Sequence, residues 1–104
     1  MSNTIALIAH NSRKDDIVRF ASTHAPTLSR YPLISTMRTG EQIQAATGLT
    51  IEQKLTASLG GIIQIAAEVA NGNVLAAIFL VDSIAASSDP NLDTLLQICN
   101  VYNV

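Results

Sequence analysis

Charge is scarce in this sequence: of 104 residues only 13% are Asp, Glu, Lys or Arg, and the formal net charge is −2. Such a chain cannot present the dense basic surface that holds nucleic-acid phosphates through counterion release, so nucleic acid is excluded as an expected partner. Cysteine is nearly absent. The single Cys99 rules out an internal disulfide and a cysteine-rich metal site. It falls on an apolar helical stripe and reads as a buried, reduced thiol. Long hydrophobic runs are missing too. No stretch approaches the roughly 18 apolar residues of a membrane span, and Met1-Ser2-Asn3-Thr4 places no basic region before the first apolar run. The expectation is a soluble cytoplasmic protein with no membrane association. For so small a protein, with much surface per unit volume, few charges also imply that apolar surface is covered by another subunit.

What is abundant is hydrophobic side chain, 48% of residues, enough for one core in a single domain over residues 1–104. Residues 5–9 form a short apolar run ending at His10 and Asn11, which reads as a buried strand. Ser12 and Asp15 have capping-box spacing, and Ile17, Phe20, Ala21 and His24 then recur with helical period, predicting a helix over about 13–23. Pro26 and Pro32 punctuate the link to a second short strand at 33–35. Thr39 and Gln42 suggest another capping box, for a helix closed by Gly48, and residues 49–55 alternate imperfectly as an edge strand would. After Gly60-Gly61 a broad apolar face predicts a helix ending at Asn71-Gly72. Residues 74–81 form the strongest buried strand, expected at the centre of the sheet. Asp89-Pro90 caps a last helix lined by Leu92, Leu95, Leu96 and Cys99. Strands alternating with helices predict an α/β fold: a three-layer αβα, Rossmann-like arrangement around a parallel sheet of about four strands.

In such a sheet the loops at the carboxyl ends of the strands converge on the ligand crevice. These loops carry His10 and Asn11, then residues 36–40, then 54–61, then 82–89. Lys14, Arg38, the hydroxyls of Thr36, Thr39 and Thr56, and backbone donors near Gly60 and Gly61 together suit a phosphate or carboxylate. Each has an ordinary alternative: a satisfied imidazole at a strand end for His10, solvated surface charges for Lys14 and Arg38, and a tight loop for the glycine pair. Asp82 and Asp89 have turn and cap explanations. No cofactor and no metal site is expected.

The ordered series Ile5-Ala6-Leu7-Ile8-Ala9-His10-Asn11 with Lys14, Thr36-Met37-Arg38-Thr39-Gly40, Ala46-Thr47-Gly48-Leu49, Leu59-Gly60-Gly61, the apolar strand ending at Asp82, Asp89-Pro90 and Val101-Tyr102-Asn103 resembles methylglyoxal synthase over nearly the whole chain. The resemblance implies a homo-oligomer, often a hexamer in that family. It also implies a lyase that converts dihydroxyacetone phosphate to methylglyoxal and inorganic phosphate through an enediolate. On it, His10 matches the active-site histidine, Lys14 the phosphate-binding lysine, and Thr36 and Thr39 two residues of the phosphate loop. Asp82 matches an acidic residue at a strand end and is the candidate active-site carboxylate. Thr56-Ala57 stands where the family has a serine-glycine phosphate contact, and Arg38 where it has a threonine.

Other departures bear on catalysis. Ile62 occupies the place of the catalytic aspartate that follows the paired glycines, Ser88 that of a histidine, Asn91 that of a further aspartate, and Asn11 that of an acidic neighbour of the histidine. Ile62 cannot accept a proton. The leading expectation is therefore a catalytically degenerate, oligomeric protein that binds a small phosphorylated or carboxylated metabolite, inorganic phosphate or a protein partner, with little synthase activity. The alternatives are a working synthase or related lyase using His10 and Asp82, and a structural or host-interaction protein with a vestigial pocket. Family members also continue past the Val101-Tyr102-Asn103 region into another strand and helix, which suggests a sheet edge here that an oligomer contact covers.

Overall fold

The computed structural model describes residues 3–86 and 89–104. Four strands, β1 (Thr4–Ala9), β2 (Leu33–Ser35), β3 (Glu52–Gln53) and β4 (Val74–Leu80), form one parallel sheet in the order β3-β2-β1-β4. Between and after them run α1 (Lys14–Thr23), α2 (Ala25–Leu28), α3 (Met37–Thr47), α4 (Gly61–Ala70), α5 (Ser83–Ala86) and α6 (Pro90–Val101). Side chains alternate across a strand, so an apolar run such as β1 must be covered on both faces. Ile5, Leu7 and Ala9 meet Ile17 and Ala21 of α1 and Ile43 of α3 on one side. Ala6 and Ile8 meet Ile62, Ile65, Ala66 and Val69 of α4 and Leu95 and Cys99 of α6 on the other. The αβα layering thus follows from β1 itself. Truncating a fully buried member such as Leu7 or Ile65 to alanine removes about 2–5 kcal/mol of stability.

Among the described residues the strand at 74–80 is not central, as its apolar run suggested, but forms one edge of the sheet, with β1 its single neighbour. A continuous apolar run reports what covers the two faces of a strand. It does not report whether its backbone is hydrogen-bonded on both sides, and β4 beyond Val74 is only partly buried. Two capping expectations also change. Helix α3 begins at Met37 with Thr36 as the preceding extended residue, because the Thr36 carbonyl accepts the Gly40 N–H at 3.0 Å and the Thr39 hydroxyl is engaged elsewhere. Ser12 lies in a 3-10 turn, Asn11–Arg13, and its hydroxyl donates to the Asp82 carboxylate rather than capping α1. The Asp89 cap forms as expected, accepting from the Asn91 and Leu92 N–H groups.

β1, β2 and β3 follow one another outward in one direction, and β4 returns to the other side of β1. The order therefore reverses between β1 and β4, and the crevice outside their carboxyl ends is the switch point of the fold.

Candidate functional site

Two neighbouring groups of polar side chains occupy the carboxyl edge of the sheet. The first is an open cleft of about 250 Å³ beyond β1, β2 and β3, lined by Asn11, Lys14, Thr36, Arg38, Thr56, Ala57 and Ser58. Five of these were expected to bind an anion from the sequence. Two are cations and none is acidic.

Lys14 is the first residue of α1, where a cation opposes the positive end of the helix dipole. It is held there by its ammonium group, which donates to the Ala9 carbonyl at 3.0 Å and to Thr39 Oγ1 at 2.9 Å. Both acceptors are uncharged. Burial, and next the nearby Arg38 charge, push the Lys14 ammonium below its usual value. Thr39 is fully buried behind the cleft rather than on its wall, and it also accepts from the Thr36 hydroxyl at 3.4 Å. Thr36 immediately precedes α3, and its side chain makes no capping hydrogen bond, so the positive end of α3 opens toward the cleft. Arg38, in the first turn of α3, is exposed and has no ion pair among the described residues.

The third wall depends on two close approaches. Gly61 packs so tightly on Leu55 that an added Cβ would run into the Leu55 carbonyl oxygen. Both backbone groups of Leu55 are held: Met37 N–H donates to Leu55 O at 3.4 Å, and Leu55 N–H donates to Gln64 Oε1 at 2.8 Å. This fixes the 3-10 turn Ala57–Leu59, with Thr56 before it, against the start of α3. Gly60 ends that turn with φ of 103°, a conformation that favours glycine. The paired glycines therefore shape the wall by close packing.

The second group fills the switch point between β1 and β4. His10 is not on the cleft wall. Its Nδ1 accepts the Asp82 N–H at 2.9 Å, which leaves Nε2 as the protonated nitrogen, donating to Asp89 Oδ2 at 2.9 Å. The ring stands edge-on to Phe79 at 5.1 Å. Burial raises the Asp89 carboxyl, but hydrogen bonds from His10, Leu92 and Asn91 outweigh it and hold the group below the usual carboxylate value. The Asp82 carboxylate accepts from the Ser12 hydroxyl and from the Ile84 N–H at 2.9 Å. Ile62 is 3% exposed and packs in the core cluster on the α4 side. Ser88 lies outside the described residues. Among the described residues no group of three or more His, Cys, Asp or Glu side chains converges where a metal ion could sit. No helix among them is long and apolar enough to cross a membrane.

Sequence reasoning missed two members of this edge. Ser58 gave no distinct signal. Asp89 was fully explained by its cap, and only the fold brings it, 79 positions away, to His10.

A parallel α/β sheet covered by helices on both faces, with an acid-free, cationic cleft at its carboxyl edge, places the protein in the Rossmann-like α/β class. No family model matches the chain. It is 48% identical over 101 residues to the methylglyoxal synthase of Thermus thermophilus, covering 96% of this chain and 80% of the relative. It is 44% identical over 105 residues to the methylglyoxal synthase of Borrelia garinii, of which it covers 83%. An uncharacterized protein of Synechocystis is also 44% identical over 105 residues, although the chain spans only 24% of it. The crystal structure of methylglyoxal synthase from Elizabethkingia anophelis superimposes with a TM-score of 0.90 at 32% identity, over 99% of this chain and 68% of that one. The chain belongs to the methylglyoxal synthase family.

Proposed function

We propose that this member of the family binds a small phosphorylated metabolite in the cleft lined by Lys14, Thr36, Arg38 and Thr56, with little or no synthase turnover. One observation carries the reading: two cations, neither paired with a carboxylate among the described residues, face an open cleft lined by hydroxyls. Weak turnover is the expectation because Ile62, in the core, offers no base. The two nearby carboxylates are engaged, Asp82 by Ser12 and the Ile84 amide, Asp89 by His10 and the α6 amides. A missing general base costs about 10²–10⁴-fold.

A second reading, an active synthase using His10 and Asp82, is favoured by the relatives at 44–48% identity that are named methylglyoxal synthase. It is also favoured by the adjacency of His10 and Asp82 at the switch point. An open cleft weighs against a vestigial pocket in a purely structural or host-interaction protein. The protein is further proposed to act as a homo-oligomer, since large apolar side chains of β4 and α6 remain exposed.

The deciding experiment is methylglyoxal formation from dihydroxyacetone phosphate by the purified protein, with calorimetry of the same compound and of inorganic phosphate. Binding without turnover supports the first reading. Turnover well above that of a His10→Ala, Asp82→Asn variant replaces it with the second, and absence of both binding and turnover rejects the cleft as a phosphate site.

A further inference from the structure

We infer that the cleft selects a phosphate ester carrying a second acidic group, with the phosphate on Lys14 and the threonine hydroxyls and a carboxylate on Arg38. The inference rests on the phosphate-binding reading and goes beyond it by naming the ligand class.

The first support is the division of the cleft by depth. Lys14 is half-buried and tied to Ala9 and Thr39, while Thr36 beside it is 3% exposed. Arg38 stands at the rim, exposed and without an ionic partner among the described residues. A volume of about 250 Å³ is several times the ~30 Å³ share of one water, so a five-atom phosphate leaves room for a short carbon chain reaching the rim.

Charge supplies the second support. A phosphate ester carries about −1.5 to −2 near neutral pH. The Lys14 ammonium and the positive end of α3, equivalent to roughly half a charge, balance it. Arg38 is then left over, and its planar, two-pronged guanidinium suits one carboxylate. No acidic side chain lines the cleft to repel that second anion. Asn11, opposite in kind, offers an uncharged amide that can accept or donate to a hydroxyl on the connecting carbon.

The test compares two ligands that differ in one group, 3-phosphoglycerate and glycerol 3-phosphate, by calorimetry. The proteins are the wild type, Arg38→Thr and Lys14→Ala. Because Arg38 is exposed, its replacement does not threaten the fold. The wild type is expected to bind 3-phosphoglycerate roughly tenfold or more tightly than glycerol 3-phosphate, the scale of one charge-assisted contact. Arg38→Thr should remove that preference, and Lys14→Ala should weaken both ligands. Equal wild-type affinities with a shared dependence on Lys14 overturn the two-acid ligand and leave the phosphate site standing. A preference that survives in Arg38→Thr assigns the carboxylate elsewhere and overturns the role of Arg38. Failure of both ligands and of inorganic phosphate to bind removes the site and this inference together.

Discussion

Lys14 stands at the end of a helix where a cation is least stable, with an ammonium group that burial and Arg38 hold below its ordinary 10.5. Because the folded value is the lower one, the fold disfavours the charged form, and that cost is relieved as pH rises from the folded value toward the unfolded one. A bound phosphate reverses the balance by favouring the ammonium. Phosphate affinity should therefore fall as pH climbs through the Lys14 value, and at alkaline pH binding should take up a proton. Calorimetry in buffers of different ionisation enthalpy measures that uptake, and its absence in wild type would sink the assignment of Lys14 to the anion. The same logic runs with opposite sign at Asp89. Its carboxylate is held below the usual value, so its stabilising contribution is complete above the unfolded 3.8 and disappears as pH falls through the folded value. Asp89→Ala removes a helix cap and leaves His10 Nε2–H without its acceptor, a loss of about 2–3 kcal/mol in chemical unfolding. Nitrogen NMR should find His10 as the Nε2–H tautomer in wild type, and a dominant Nδ1–H form would contradict the Asp82 amide contact. Lys14 and Arg38 were legible in the sequence because they follow strand ends. The His10–Asp89 pair was not, since its two halves meet only through β1, β4 and α6.

At the level of elements, the alternation of strands and helices was readable from apolar period, and β2 fell on its expected residues. The sheet order was not readable, because hydrogen-bonding neighbours leave no trace in hydropathy, and β4, whose apolar run suggested a central strand, lies at an edge. The start of α3 was misplaced by three residues for a different cause. Thr39 has the spacing of a cap, but the Lys14 ammonium reaches it from another element, 25 positions away. Glycines at the cleft wall give an element-scale prediction. Gly61→Ala drives a methyl group into the Leu55 carbonyl, which already accepts from the Met37 N–H while the N–H of the same residue is tied to Gln64, so relief requires the 3-10 turn to move. Overpacking of this kind costs about 1–3 kcal/mol, and here the upper part of that range is expected in thermal or urea unfolding. Phosphate affinity should fall with it, because Thr56, Ala57 and Ser58 ride on the displaced turn. Stability loss with unaltered affinity would mean that this wall does not touch the anion.

For the whole molecule, the low charge read from the sequence returns as an uneven surface. Leu75 on β4 is 53% exposed, and Leu96 and Val101 on α6 are 51% and 66% exposed, with Tyr102 immediately after. Among the described residues β4 has a hydrogen-bonded strand on one side only, so apolar side chains accompany a sheet edge, the combination that proteins ordinarily cover. Sedimentation equilibrium should accordingly find a homo-oligomer, and the Leu96→Glu, Val101→Glu double variant should shift it toward monomer by placing charges in a surface that must be desolvated. A wild type that stays monomeric at micromolar to millimolar concentration would refute the association. The cleft lies beyond β1, β2 and β3, whereas these apolar residues belong to β4 and α6. If each subunit carries a complete site, the monomeric variant should bind phosphate with wild-type affinity. If affinity falls as the assembly dissociates, a neighbouring subunit must hold or complete the cleft, and the ligand would then favour the assembled state by the same free energy.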